Sequence, residues 1–468
     1  MIADRARLIF AVFIGAGLLC LADPVLAHAS QQSFVLLLPT AFYIAGGVAA
    51  VALTVLLVSI LPDRAAVGLF RPLALGRGLA ARAPILASLL SFLLLVALLV
   101  IGRTGPHDPT RNLLSLIIWT VWWVAFVVFQ GLIGDLWRWV NPWTGPYRLL
   151  RRALGLKPVV GLPGWLGHWP AVLGLLAFAA VLLVDPAPAD PDHLAWMVTA
   201  YWGLHFIGML IFGAKWLRRC EGLSVLLGNY ASLGLFGRRG GRRRLGLWGW
   251  RIPRRRTPDP SCAVFMVVTL AIGSFDALHE TFWWLARVGI NPLEFPGRSA
   301  MVTRSLVGLM GLAVGLVVVF ALTVRAGLWL AGASGRFGEA FRSFAPALLP
   351  IALGYHFAHY LPSFLVNAQY ALRAASDPLA TGADYLHLGR FYVTTGFFNT
   401  TATVRVIWLA QAAGVVIGHM LAILLAHAQA VWFFGSHRRA ALSQIPVVSF
   451  MLLYTLFGLW LLASPRAG

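Results

Sequence analysis

The chain has 468 residues, of which 59% are hydrophobic and only 11% charged, whereas a soluble domain carries roughly a quarter charged. Mean hydropathy is +0.80. These values exclude an aqueous domain, a disordered chain and a disulfide scaffold; continuous apolar runs that do not alternate exclude a membrane β-barrel. The fold class that remains is all-α, a polytopic transmembrane helical bundle.

The formal charge of +21 would suggest nucleic acid in a soluble protein. In a membrane protein it reports orientation through loop arginines, so no nucleic-acid partner is expected. Lys157 and Lys215 are the only lysines. Cys20, Cys220 and Cys262 form neither a disulfide framework nor a CxxC metal site.

In chain order, residues 1–27 read as a secretory signal peptide: Arg5 and Arg7, the apolar run Leu8 to Leu21, then Val25-Leu26-Ala27 as a cleavage site. His28 would begin the mature chain, and residues 28–468 would form a single transmembrane domain. Ten apolar stretches follow, near 34–61, 84–101, 112–134, 170–184, 194–214, 262–285, 301–331, 344–371, 404–433 and 446–463, given that about 20 residues cross the hydrocarbon core. The fourth is short. With the mature N-terminus outside, 25 basic residues fall in inner loops and 9 in outer ones. The positive-inside rule then places both mature ends in the periplasm of a bacterial inner (plasma) membrane. The Arg-rich cytoplasmic loop at 215–261, with Arg238, Arg239 and Arg242 to Arg244 at its centre, reads as a stop-transfer signal and a contact with anionic lipid.

Ionisable groups at membrane depth cost about 2.5–3.5 kcal/mol each on insertion scales, so they are functional candidates. Asp276, His279 and Glu280 stand at i, i+3 and i+4, which predicts one shared helix face. His356 and His359 repeat the i, i+3 spacing between Pro350 and Pro362. His205, His419 and His427 lie in other spans. Imidazole with carboxylate suits Zn, Cu, Fe or Mn. The expected metal ligands are therefore His279, His356, His359, His419 and His205. His28 joins them because its free amine and imidazole can chelate copper, with His107, His193 or His387 as partners. Asp276 and Glu280 are the expected catalytic carboxylates, orienting a ligand histidine or shuttling protons. Haem b is the alternative cofactor, because histidines on separate helices suit axial ligation.

The run Gly134-Asp-Leu-Trp-Arg-Trp-Val-Asn-Pro-Trp143 resembles the integral membrane family that goes by the name fenitrothion hydrolase. So do Ser274-Phe-Asp-Ala-Leu-His-Glu-Thr281, Pro350 through Tyr360, and the tail from Ser443-Gln-Ile-Pro446 through Tyr454 and Trp460. The resemblance extends from about the third span onward, together with an Ala-His start. It implies a membrane-bound hydrolase akin to organophosphorus hydrolases, acting on apolar phosphotriesters, and its pattern maps onto Asp276, His356 and His359. Three function classes follow: a metal-dependent hydrolase, a haem- or copper-binding redox protein, and a transporter of metal or small solute. Expected partners are the lipid bilayer, a small apolar substrate and a periplasmic or membrane subunit.

Overall fold

Where the sequence runs apolar, the chain is helical. The computed structural model describes residue 35 and residues 38–60, 62–77, 83–254, 256–294 and 297–466. The signal-peptide reading of 1–27 and the proposed ligand His28 lie outside these residues. The main elements in chain order are α1 (Thr40–Ile60), β1 (Leu73–Arg77), α2 (Ala83–Thr104), α3 (Leu113–Ile133), α4 (Trp169–Leu183), α5 (Pro191–Phe212) and α6 (Gly222–Ala231). Next come β2 (Phe236–Arg239), β3 (Arg242–Leu245), α7 (Pro260–Leu278), α8 (Arg298–Leu330), α9 (Leu349–Ser376), α10 (Thr401–Phe434) and α11 (His437–Ala463).

The fold is all-α apart from one small sheet. Among the described residues, eight helices are long and apolar enough to cross a bilayer: α1, α2, α3, α5, α7, α8, α10 and α11. They coincide with eight of the ten expected runs. The other two differ for physical reasons. Helix α4 has only 15 residues, about 23 Å at 1.5 Å per residue. Helix α9 has 28 residues, but His356, His359, Asn367, Gln369 and Arg373 make it the polar helix of the set.

The chain divides into two units. Unit 1 comprises Met1–Arg71, Leu247–His359 and Gly396–Gly468. Its helices approach closely at small residues, as helices in lipid do. A Cβ on Gly354 of α9 would lie 2.4 Å from the Gly414 carbonyl oxygen of α10, and one on Gly418 would lie 2.6 Å from that of Pro350. Gly327 of α8 meets Ser443 of α11 in the same way, at 2.3 Å. Helix α7 is the most enclosed span, with 89% of its apolar window buried. Its last residues, Ala277 and Leu278, pack with Tyr355, Ala358, Trp408 and Leu459.

Unit 2 comprises Pro72–Gly246 and Tyr360–Thr395. It contains a three-stranded antiparallel sheet in the order β1-β3-β2. Ten residues of α3, Ile117–Phe126, are wound as a π-helix. The run after α3 is organised by one buried amide. The Gln130 side-chain oxygen accepts the Leu136 and Trp137 backbone N–H groups at 2.8 and 2.9 Å, and its Nε2 donates to the Leu227 carbonyl at 2.9 Å. Gly134 turns the chain at φ +139°, and a Cβ there would lie 2.4 Å from the Phe236 carbonyl oxygen. Trp137 and Trp143 are buried inside the unit. Asp135 accepts the backbone N–H of Arg138, so it caps that turn.

Candidate functional site

Helix α7 ends at Leu278, earlier than the sequence suggested, and this changes the expected shared face. His279 closes the helix: its Nδ1 lies 2.7 Å from the Asp276 carbonyl oxygen and 3.2 Å from that of Phe275. Capping satisfies carbonyls that have no intrahelical partner. Thr281 then starts the short helix Phe282–Arg287 by accepting the Trp284 N–H at 3.2 Å. Glu280, half-buried, lies in the turn between them. Asp276 alone of the three is a buried group on the helix proper.

The Asp276 carboxylate faces His359 of α9, with Oδ1 3.4 Å from Nε2, and both side chains are about nine-tenths buried. On the other side of the imidazole, Nδ1 lies 3.3 Å from Nη1 of Arg466. Arg466 also donates from Nη2 to the Leu461 carbonyl at 2.9 Å. The C-terminal tail is pinned there by a Thr281–Arg466 bridge and by the Phe282 N–H, which donates to the Pro465 carbonyl at 3.0 Å. A guanidinium can only donate. Nδ1 of His359 is therefore the acceptor, and Nε2 carries the proton that faces Asp276. The array reads carboxylate, imidazole, guanidinium.

Polar atoms continue deeper among α7, α9, α10 and α11. Tyr355 stacks over His359 at 6.3 Å and lies within electrostatic reach of Asp276, Glu280, Arg466 and Tyr454. Its hydroxyl is buried with no hydrogen-bond partner among the described residues. Tyr454 and Ser274 share a short hydroxyl–hydroxyl hydrogen bond. The His419 ring lies 6.4 Å from that of Tyr454, with Nδ1 held by the Val415 carbonyl at 2.8 Å. Its Nε2 is buried with no partner among the described residues.

Among the described residues, no three of His, Cys, Asp and Glu stand together as a metal-holding group. The donors explain why. His359 has Asp276 on one nitrogen and a guanidinium on the other, and a positive guanidinium opposes a metal cation at that position. His279 commits Nδ1 to the backbone. His356 is buried three residues before His359. His205 belongs to unit 2, where its Nδ1 accepts the Trp216 indole N–H at 3.0 Å. The array does not fit a metal centre.

Sequence reasoning missed two groups. Arg466 counted only as an outer-loop charge, and nothing local marks it; the tail's return to the end of α7 brings it in. Glu221 is fully buried in unit 2, where it accepts the Tyr201 hydroxyl and the Leu223 and Ser224 backbone N–H groups at 2.8 and 2.6 Å. Its place before Gly222-Leu-Ser is an N-cap signature that was legible. No family model, curated protein or solved structure matches the chain.

Proposed function

We propose that this chain is an integral membrane protein that moves protons as part of small-solute transport, with Asp276 and His359 as the proton-handling pair. One observation carries this reading: the buried Asp276–His359 pair at the end of apolar helices, with the half-buried Arg466 on the far side of the imidazole. Three ionisable groups in such a place are costly and are functional candidates by default. The Tyr355 hydroxyl and His419 Nε2, buried with no partner among the described residues, support it, because a buried unsatisfied polar group costs about 1–3 kcal/mol.

The step follows from the tautomer. When Arg466 swings away, Nδ1 of His359 is free to take a proton. Nε2 then gives its own proton to Oδ1 of Asp276. The imidazole ends neutral in the opposite tautomer, and Asp276 ends protonated. Release from Asp276, a reorientation of the imidazole that turns its N–H back towards Asp276 and its bare nitrogen towards Arg466, and the return of Arg466 reset the array.

The test is proton flux in proteoliposomes that carry a pH-sensitive dye. Wild type collapses an imposed pH gradient at least tenfold faster than protein-free vesicles, and Asp276→Asn falls to the protein-free rate. Wild-type flux no faster than empty vesicles rejects the reading. If that protein instead releases nitrophenol from an aryl phosphotriester, the hydrolase reading replaces it, with Asp276 and His359 as base and Arg466 facing the phosphoryl oxygen. A Soret band in the purified protein would select haem.

A further inference from the structure

The three-stranded sheet of unit 2 assembles arginines that the sequence keeps apart. In its register Phe236 and Leu73 flank Leu245, while at the other end Arg239 and Arg77 flank Arg242. Between these rows Arg238 pairs with Arg243, and Ala74 and Gly237 flank Arg244. The sheet thus grades from an apolar row to an arginine row. Arg238, Arg239 and Arg242 are exposed, and Nε of Arg244 is buried with no partner among the described residues.

Like charges directly opposite one another on a sheet repel. The flanking sequence supplies no carboxylate: neither 64–107 nor 222–258 contains an Asp or Glu. Among the described residues, no ion pair involves Arg238, Arg239, Arg242, Arg243 or Arg244. The arrangement calls for an external anion.

The apolar end fixes where that anion lies. The Leu235 N–H donates to the Leu132 carbonyl at 3.1 Å, and Gly134 packs on the Phe236 backbone, so this end of the sheet sits on the end of α3, an apolar span. Leu73 and Phe236 remain exposed there, at 69% and 48%. Three residue steps carry the arginine row about 10 Å further, across a headgroup layer of about 5–7 Å. Guanidinium groups match phosphate oxygens in a fork geometry.

We infer that this sheet docks on the phosphate headgroups of anionic phospholipid, with the Leu73–Leu245–Phe236 row at the hydrocarbon edge. A nucleic acid fits less well, because the one aromatic residue of the strands, Phe236, lies at the membrane end and leaves the arginine end without a stacking platform.

The test uses full-length protein purified in neutral detergent. Bound phosphatidylglycerol and phosphatidylcholine are counted by native mass spectrometry at fixed salt. Wild type retains phosphatidylglycerol at least tenfold more tightly. Replacing Arg238, Arg239 and Arg242 together by Gln brings the two lipids within about threefold of each other. The matching Lys variant keeps most of the preference, and equal unfolding temperatures show that both variants fold. Equal retention of the two lipids by wild type overturns the inference. So does a preference that survives the Gln variant, or single-stranded RNA that displaces phosphatidylglycerol from wild type.

Discussion

Among the described residues each unit buries one carboxylate, and the two have different partners. Glu221 in unit 2 takes two backbone N–H groups and a tyrosine hydroxyl. Backbone amides cannot change protonation, so this carboxylate caps α6 and holds the loop before it. Asp276 in unit 1 faces an imidazole whose far nitrogen meets a guanidinium. The imidazole can gain, lose or reorient a proton, while the guanidinium can only donate. Burial alone therefore does not distinguish the two carboxylates; an imidazole directly against Asp276 does.

The comparison can be broken at either end. The largest effect expected is on activity: Asp276→Asn and His359→Ala each lower proton flux at least tenfold, while the unfolding temperature in detergent falls only modestly. A variant that keeps wild-type flux would return the array to a structural role. The next is on stability: Glu221→Ala removes the α6 cap and strands the Tyr201 hydroxyl, at a cost of about 2–4 kcal/mol, visible in thermal unfolding. Tyr201→Phe removes only one of these bonds and costs about 1 kcal/mol. Gly134→Ala places a Cβ against the Phe236 carbonyl at a positive φ and costs about 1–3 kcal/mol. The smallest effect concerns Asp384, outside the spans. The Gly389 N–H, the Ser376 hydroxyl and the Leu388 N–H hold its carboxyl below its usual range. A depressed carboxylate contributes stability above its unfolded pKa of about 3.9 and loses it as pH falls through the lower folded value. Hydrogen exchange in the 384–389 loop should stay protected at pH 5 and rise only below about pH 4, and Asp384→Asn should remove that dependence.

The sequence revealed much of this fold because lipid imposes simple rules. Continuous apolar runs located eight helices long and apolar enough to cross a bilayer. It misled where a local pattern met a helix end. Asp276, His279 and Glu280 have the spacing of one face, yet His279 caps the helix at Leu278 and Glu280 falls beyond it. Arg466 was out of reach, since only tertiary folding carries the C-terminal tail to His359. The sheet was hidden as well: β1 lies about 165 residues before its partner strand, and its short alternation of Leu and Gly carries little signal. The run 134–143 gains a structural explanation, because its tryptophans and Asn141 are packed and hydrogen-bonded around Gln130 and Ser224.

The most direct measurement compares proton flux through proteoliposomes of two conservative variants, Asp276→Asn and Glu221→Gln, at equal protein content. The account predicts flux at the protein-free rate for Asp276→Asn and within about twofold of wild type for Glu221→Gln. Equal losses in both, or loss in Glu221→Gln alone, would contradict it.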